Sequence, residues 1–353
     1  MKITLSKNLK QKPDVNKLGF GKYFTDHMLV MEYSDGKWSE PEIKPYEDFS
    51  LNPASVVLHY GQGIFEGCKA YKNAEGKITM FRPEDNIKRM NRSAARLCMA
   101  ELPVKETLEA VFELIRIEKD WIPTAPGTSL YVRPTMVGTE AFLGVHPSKK
   151  YIFFVILSPV GSYYANGLAP TRIYVEDVYN RAAIGGTGEA KCLGNYAASL
   201  LAAEVANKKG YEQVLWMDAA ERKYVEEVGS MNIFFVIDGK VVTPELDGSI
   251  LPGITRDSAI KVLREFGYTV EERKVSIDEL LKAYAEGKLN EAFGTGTAAV
   301  ISPVGIIGYK DKVMEINNNK MGRITEWLYD RLTGIQTERY PNSYNWVVEI
   351  AKA

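Results

Sequence analysis

Cysteine and histidine are both scarce: three of each in 353 residues. Cys68, Cys98 and Cys192 lie far apart. An odd, sparse set of thiols argues against a disulfide framework and for a reducing compartment, which places the chain in the cytoplasm. His27, His59 and His146 are equally scattered, so no Cys/His cluster suggests zinc. Neither sign of charge dominates: 44 Lys and Arg face 45 Asp and Glu, for a net charge of -1. That leaves no basic field to draw in nucleic acid or an anionic membrane. Long apolar runs are missing as well. Tyr151 to Leu157 is the longest of note, has strand length, and stops at Ser158-Pro159. Met1 to Lys17 is polar, without the apolar centre of a signal peptide. Three familiar signatures are also absent. A P-loop needs glycine before its lysine and Ser/Thr after it, whereas Lys191 has Ala190 and Cys192. No Gly-x-Gly-x-x-Gly follows a strand into a helix, and no Gly-x-Ser-x-Gly elbow occurs. Any chemistry therefore falls to carboxylates, lysine or an organic cofactor.

What is present is an ordinary globular composition, 45% hydrophobic and 25% charged. The length suggests two domains. The segment from Pro159 to Pro170 holds prolines and glycines and no charge, so it reads as a connector. It is placed at 161–170, between a domain at 1–160 and a second at 171–353. Strands are expected at 24–33, 76–81, 129–136, 151–158, 172–178, 213–217 and 232–237. Two further short strands are expected at 291–302, around Gly294-Thr295-Gly296-Thr297. Helical spacing of Ile87, Met90, Ala94 and Leu97 follows Pro83, which suits a first turn. Further helices are expected at 106–121, 195–208, 256–266 and 278–286, the last behind a capping box at Ser276. Strands and helices do not alternate regularly, so the fold class is α+β, or mixed α/β, rather than a doubly wound sheet.

Five segments could carry chemistry. Lys191 follows a glycine-rich approach, Gly185 to Gly188, that would leave room for a flat ligand at its amine. Tyr196 lies five residues on. Glu226 and Glu227 precede the apolar strand at 232–237; a buried carboxylate needs a partner, and a pyridinium nitrogen would be a fitting one. Leu251-Pro252-Gly253-Ile254-Thr255-Arg256 puts a glycine before a helix start, whose amides suit a phosphate. Gly294 to Ala298 offers small residues and two hydroxyls for close anion approach. Arg82 could add a fixed charge. Each segment also has an ordinary structural reading: a loop, a polar turn, a capped helix or a surface arginine. Together they describe a Schiff-base lysine, a carboxylate for a ring nitrogen and three anion-binding elements. Pyridoxal phosphate requires that set.

At this point the sequence resembles the branched-chain amino acid aminotransferases, fold-type IV pyridoxal-phosphate enzymes of the class IV aminotransferase family. The matching stretches are Phe20 to Met28, His59 to Gly67, Phe81-Arg82-Pro83, Leu130 to Pro134, Gly188 to Tyr196, Glu227 to Asn232, Leu251 to Arg256 and Phe293 to Ala298. They span about residues 18 to 310. The resemblance implies a small N-terminal α/β domain, a larger C-terminal cofactor domain and an active site where the domains meet. It implies that Lys191 forms the Schiff base and moves a proton, that Tyr196 binds the cofactor's phenolic oxygen, and that Glu227 pairs with the ring nitrogen. Arg82, the backbone of Ile254 and Thr255, and Thr297 would hold the phosphate. Phe20, Tyr60, Phe65, Tyr131 and Tyr163 would shape the side-chain pocket. Ser230 and the backbone near Ala298 would meet the substrate α-carboxylate, and Arg133 the distal carboxylate of glutamate. The family is homodimeric and lends a loop across the dimer, here expected within Gly138 to Val145.

The implied activity is transfer of the amino group of L-leucine, L-isoleucine or L-valine to 2-oxoglutarate. Two departures stand out. Ala299 and Ser302 occupy positions where some members carry a Cys-x-x-Cys redox switch, so that switch is expected to be absent. Leu193 stands where small residues often precede Gly-Asn-Tyr, so a slightly altered loop is expected. Two activities on the same fold remain open, D-amino acid aminotransferase and aminodeoxychorismate lyase. A phosphate- or nucleotide-binding regulatory protein would use the glycine and threonine loops without Lys191 or Glu227.

Overall fold

Alternation of apolar and polar side chains along Ser129–Gly138 sets the architecture of the first half. Leu130, Val132, Pro134 and Met136 point to one face and are buried, while Arg133 and Thr135 on the other face are only partly covered. A computed structural model describes residues 1–161 and 168–352. The chain forms two compact units. Unit 1 comprises Met1–Ala165, Ala190–Leu193 and Gly334–Ala353, and unit 2 comprises Asn166–Glu189 and Gly194–Thr333. Unit 1 thus takes two pieces from the stretch expected as a second domain. Strand pairing is the reason: Val347–Lys352 runs antiparallel to Lys77–Phe81, and Cys192 bridges Ile64.

Unit 1 is built on one ten-stranded sheet. Its main path runs Lys2–Ile3, Glu42–Pro45, His27–Ser34, Tyr151–Val160, Ser129–Gly138, Cys68–Lys72, Lys77–Phe81 and Val347–Lys352. The short strand Gly63–Phe65 also pairs with Ser129–Gly138. Helices Pro83–Arg96 and Val104–Ile117 cover the apolar face, bringing Ile87, Met90 and Ala94 together with Val111, Leu114 and Ile115. The first of these helices begins as expected, with Pro83 in its first turn and Glu84 and Asp85 behind it.

In unit 2, six strands close on themselves. Val225–Val228, Gln213–Met217, Thr171–Glu176, Val300–Tyr309, Leu289–Gly296 and Met231–Ile237 pair in that order, and the last returns to the first through Glu227↔Asn232 and Val228↔Met231. Closure removes the free edges inside the ring. Lys240–Thr243 and Val270–Glu272 extend the sheet beyond it. Helix Ile277–Ala285 has its expected cap, with Glu279 N–H donating to Ser276 Oγ at 3.0 Å.

Three local expectations needed correction. The helix expected at 195–208 is two, Leu193–Ala198 and Leu200–Lys208. Ser199 divides them: its hydroxyl donates to Tyr196 O at 2.7 Å, and its N–H makes a short-range bond to the same carbonyl. The segment read as a polar turn before a strand holds a strand of its own, Val225–Val228, with only Gly229 and Ser230 turning. The two short strands expected at 291–302 are a long antiparallel hairpin, Leu289–Gly296 and Val300–Tyr309. Its reversal is unusually tight. Val300 has φ of 62°, and Ile301 N–H bonds to Ala299 O at 2.8 Å, a strained three-residue turn for a β-branched residue.

Candidate active site

In unit 1, Lys191 is held by its backbone from two sides. Its N–H donates to Ser93 Oγ at 2.9 Å, and its carbonyl accepts from Phe65 N–H at 3.0 Å. The amine lies 4.8 Å from the centre of the Phe65 ring. Burial, then the Arg89 guanidinium, push the amine down from 10.5 to about 8, with Glu66 and Tyr131 acting in the other direction and Arg133 with Arg89. The amine is enclosed, while the residue as a whole is partly covered.

Strand register gathers the groups around it. Phe65 pairs with Thr135 and Lys69 with Tyr131, so Phe65, Gly67 and Lys69 share a face with Tyr131, Arg133 and Thr135. Arg133 Nη2 lies 3.3 Å from Tyr131 Oη, and its guanidinium sits 4.8 Å from the Phe65 ring centre. Phe20 meets Tyr131 edge-on at 5.0 Å. Gly67 is required here: a Cβ would fall 1.9 Å from the Tyr131 hydroxyl. Phe20, Phe65, Tyr131, Arg133 and Lys191 therefore come together as the sequence reading expected. Tyr60 instead reaches the 138–145 segment, where its hydroxyl bonds to Leu143 O. Tyr163 lies outside the described residues. Arg82 takes a left-handed conformation, φ 50°, with Nε 2.6 Å from Asp85 Oδ2 and its guanidinium 5.1 Å from the Trp346 ring. Lys69 escaped the sequence reading, since nothing in the sequence shows which lysine is covered; burial pushes its amine down to about 8.

Unit 2 holds the second set. Glu227 is buried, and its carboxylate is already partnered: Oε2 lies 3.0 Å from Arg181 Nε, and Oε1 accepts from Leu251 N–H at 2.6 Å. Arg181 was not singled out from sequence, because it sits among ordinary loop residues. It also donates to Ser249 O at 3.0 Å and Gly188 O at 3.3 Å. Those contacts change the account of the glycines. A Cβ at Gly188 would lie 2.0 Å from Ser249 O, and Gly185 turns at φ 80°. These glycines serve backbone approach and turning rather than slack around a ligand.

Tyr196 and Ser230 line a cavity of about 250 Å³ with Arg181, Asn195, Trp216 and Gly229. Gly229, between Glu227 and Ser230, has φ 55°, and a Cβ there would meet Gln213 Oε1 at 2.0 Å. Helix Ile254–Glu265 starts at Gly253 with no side-chain cap, so Ile254 and Thr255 stand at an N-terminus of the kind that takes an anion. Thr297 and Ala298 lie in the tight reversal before Val300. Glu226, on the opposite face of the strand from Glu227, accepts from Ser249 Oγ at 2.6 Å. Burial and the nearby Asp247 push its carboxyl up to about 7.

These residues fit pyridoxal phosphate. Unit 1 offers a lysine amine with depressed basicity, suited to its aldehyde; unit 2 offers a buried carboxylate beside a guanidinium and a helix start without a side-chain cap, suited to its ring nitrogen and its phosphate. Nothing comparable exists for a metal: among the described residues, no three His, Cys, Asp or Glu groups gather in a metal-holding cluster.

Comparison with known proteins agrees. The sequence model of the family described as amino-transferase class IV matches residues 63–307, and the chain belongs to that family. It is 52% identical to branched-chain-amino-acid aminotransferase 2 of Bacillus subtilis (strain 168), over 99% of this chain and 97% of that one. The crystal structure of the Escherichia coli branched-chain amino acid aminotransferase superposes with a TM-score of 0.77 at 28% identity, covering 92% of this chain and 99% of that one. The T.th. branched-chain amino acid aminotransferase complexed with N-(5'-phosphopyridoxyl)-L-glutamate gives 0.74 at 29%, covering 91% and 98%.

Proposed function

We propose that the protein is a branched-chain amino acid aminotransferase that moves the amino group of L-leucine, L-isoleucine or L-valine to 2-oxoglutarate, with pyridoxal phosphate as its cofactor. One observation carries the reading: in a class IV aminotransferase chain, the buried Lys191 amine has its charge disfavoured beside an aromatic wall that also carries Arg133. When bound, pyridoxal phosphate supplies an aldehyde that captures amines and a ring that draws electron density from the substrate Cα. The residues of this chain do the rest. Lys191 Nζ, neutral at a pH where surface lysines stay charged, is the nucleophile and then the base that takes the Cα proton and returns it. Glu227, held ionised by Arg181 and the Leu251 N–H, keeps a negative charge for the ring nitrogen. Tyr196 donates to the phenolic oxygen. Arg82, the Ile254 and Thr255 amides and Thr297 hold the phosphate, and Ser230 with the Ala298 backbone takes the α-carboxylate.

Substrate choice falls to unit 1. Phe20, Phe65 and Tyr131 enclose an aliphatic side chain. Arg133 takes the distal carboxylate of glutamate. Its buried Nε has no partner among the described residues, a donor suited to a carboxylate. One pocket thereby serves both amino donors.

Homodimerisation is part of the proposal. The 139–145 segment is tied to 52–60 by Val56 N–H to Glu140 O and Phe142 N–H to Ala54 O. Together they expose Leu58, Tyr60, Phe142, Leu143 and Val145. A patch of this kind suits a second copy of the chain. A net charge of only -1 and scattered free thiols support a cytoplasmic enzyme that does not bind nucleic acid. No helix among the described residues is long and apolar enough to cross a membrane.

An amino-donor panel with 2-oxoglutarate, read as kcat/KM, tests the activity. Leucine, isoleucine and valine should lead. Turnover of D-alanine without L-leucine would transfer the protein to the D-amino acid branch of the same fold.

A further inference from the structure

Next to Phe65, which bonds to the Lys191 backbone, lies a buried ion pair that the mechanism above does not use. Glu66 is fully buried and Arg89 nearly so. Arg89 Nε meets Glu66 Oε1 at 2.7 Å, and Nη2 meets Oε2 at 2.8 Å, a two-bonded fork. Asn86 Nδ2 and Gly67 N–H also donate to Oε2, at 2.9 and 3.1 Å. Such a pair is costly to bury and is weak evidence of added stability. Its neighbours suggest another purpose. Phe65, immediately before Glu66, donates its N–H to Lys191 O. Ser93, one turn beyond Arg89 on helix Pro83–Arg96, accepts from Lys191 N–H and donates to Arg89 O at 3.2 Å. The ion pair therefore joins the two elements that grip the lysine backbone, one on each side.

We propose that the buried Glu66–Arg89 pair is a positioning device for Lys191, pinning the Phe65 strand and the Ser93 helix into a two-sided clamp on the lysine backbone. The inference rests on Lys191 carrying the cofactor, as proposed above. The pair also sets one charge of each sign near the amine: Arg89 opposes its protonation and Glu66 favours it, while Tyr131 and Arg133 act from the substrate face. Clamp and charge are separable. Ser93→Ala loosens the grip and leaves every charge in place, whereas Glu66→Gln keeps the shape and removes one charge.

The experiment uses the holoenzyme and follows the pH midpoint of the cofactor's visible absorbance, alongside kcat and KM for leucine. Glu66→Gln should move the midpoint down, and Arg89→Met should move it up, each by about one pH unit. Ser93→Ala should leave the midpoint in place and lower kcat about tenfold with KM little changed. A pair that only supported the fold would lower stability without opposite displacements. Midpoints that stay put in both charge variants, or move in the same direction, overturn the proposal. Should Arg89→Met not fold, Ser93→Ala and Glu66→Gln decide together: a tenfold lower kcat in the first and a lowered midpoint in the second support the proposal, and an unchanged kcat in Ser93→Ala refutes the clamp. A wild-type protein with no visible band that borohydride removes would instead overturn the underlying assignment of Lys191.

Discussion

Lys191 and Glu227 are both charged groups in covered surroundings, yet their neighbourhoods are built on opposite principles. Around Glu227, unit 2 supplies a full set of partners: Arg181 and the Leu251 N–H hold the carboxylate as an anion. Around Lys191, unit 1 supplies burial and a nearby arginine, which make the ammonium form unfavourable. The difference matches the roles proposed for them, a group that keeps its charge and one that can lose it. A counter-ion benefits from partners that favour its charge, while a nucleophilic amine is made reactive by surroundings that disfavour its protonated form.

The comparison can be broken most forcefully at Lys191. Lys191→Ala should lower transamination by about three orders of magnitude or more, since it removes the amine proposed to carry the cofactor; single-turnover kinetics would measure it. Arg181→Met should strand Glu227 as an unpaired buried charge and cost about 3–5 kcal/mol of stability, read by urea unfolding. Arg133→Ala should raise KM for glutamate about tenfold or more with a smaller effect on leucine, because only glutamate loses a charged contact. A pH-dependent effect belongs to Glu226, whose carboxyl is raised from 4.5 to about 7. A raised acid favours the folded state while protonated, so that contribution is present below pH 4.5 and lost as pH climbs towards 7. Glu226→Gln should therefore leave stability little changed below that window and raise it above by up to about 3 kcal/mol. Melting curves across pH would show the crossover.

Much of this was legible beforehand for a physical reason. Periodic apolar residues announced helix Pro83–Arg96, and a strand was expected at 129–136, while Phe65, Tyr131 and Arg133 were named from the family resemblance. Short-range signals of this kind are written in neighbouring residues. Arg181 was not legible, because its partners come from positions 188, 227, 249 and their joint burial. Glu66 and Arg89 were missed for the same reason: 23 positions separate them, and only the crossing of strand and helix makes them a pair. The ring closure through Glu227 and Asn232 likewise needed the three-dimensional pairing. The close approach of Gly188 to the Ser249 backbone was likewise illegible, since it leaves no mark in the local sequence.

The central claim is that one lysine, with its charge disfavoured, carries the cofactor. Holoenzyme treated with borohydride and digested should yield a single peptide bearing the reduced pyridoxyl group, with the modification on Lys191. Modification of Lys69 in place of Lys191, or of no lysine in a protein loaded with pyridoxal phosphate, would contradict the account.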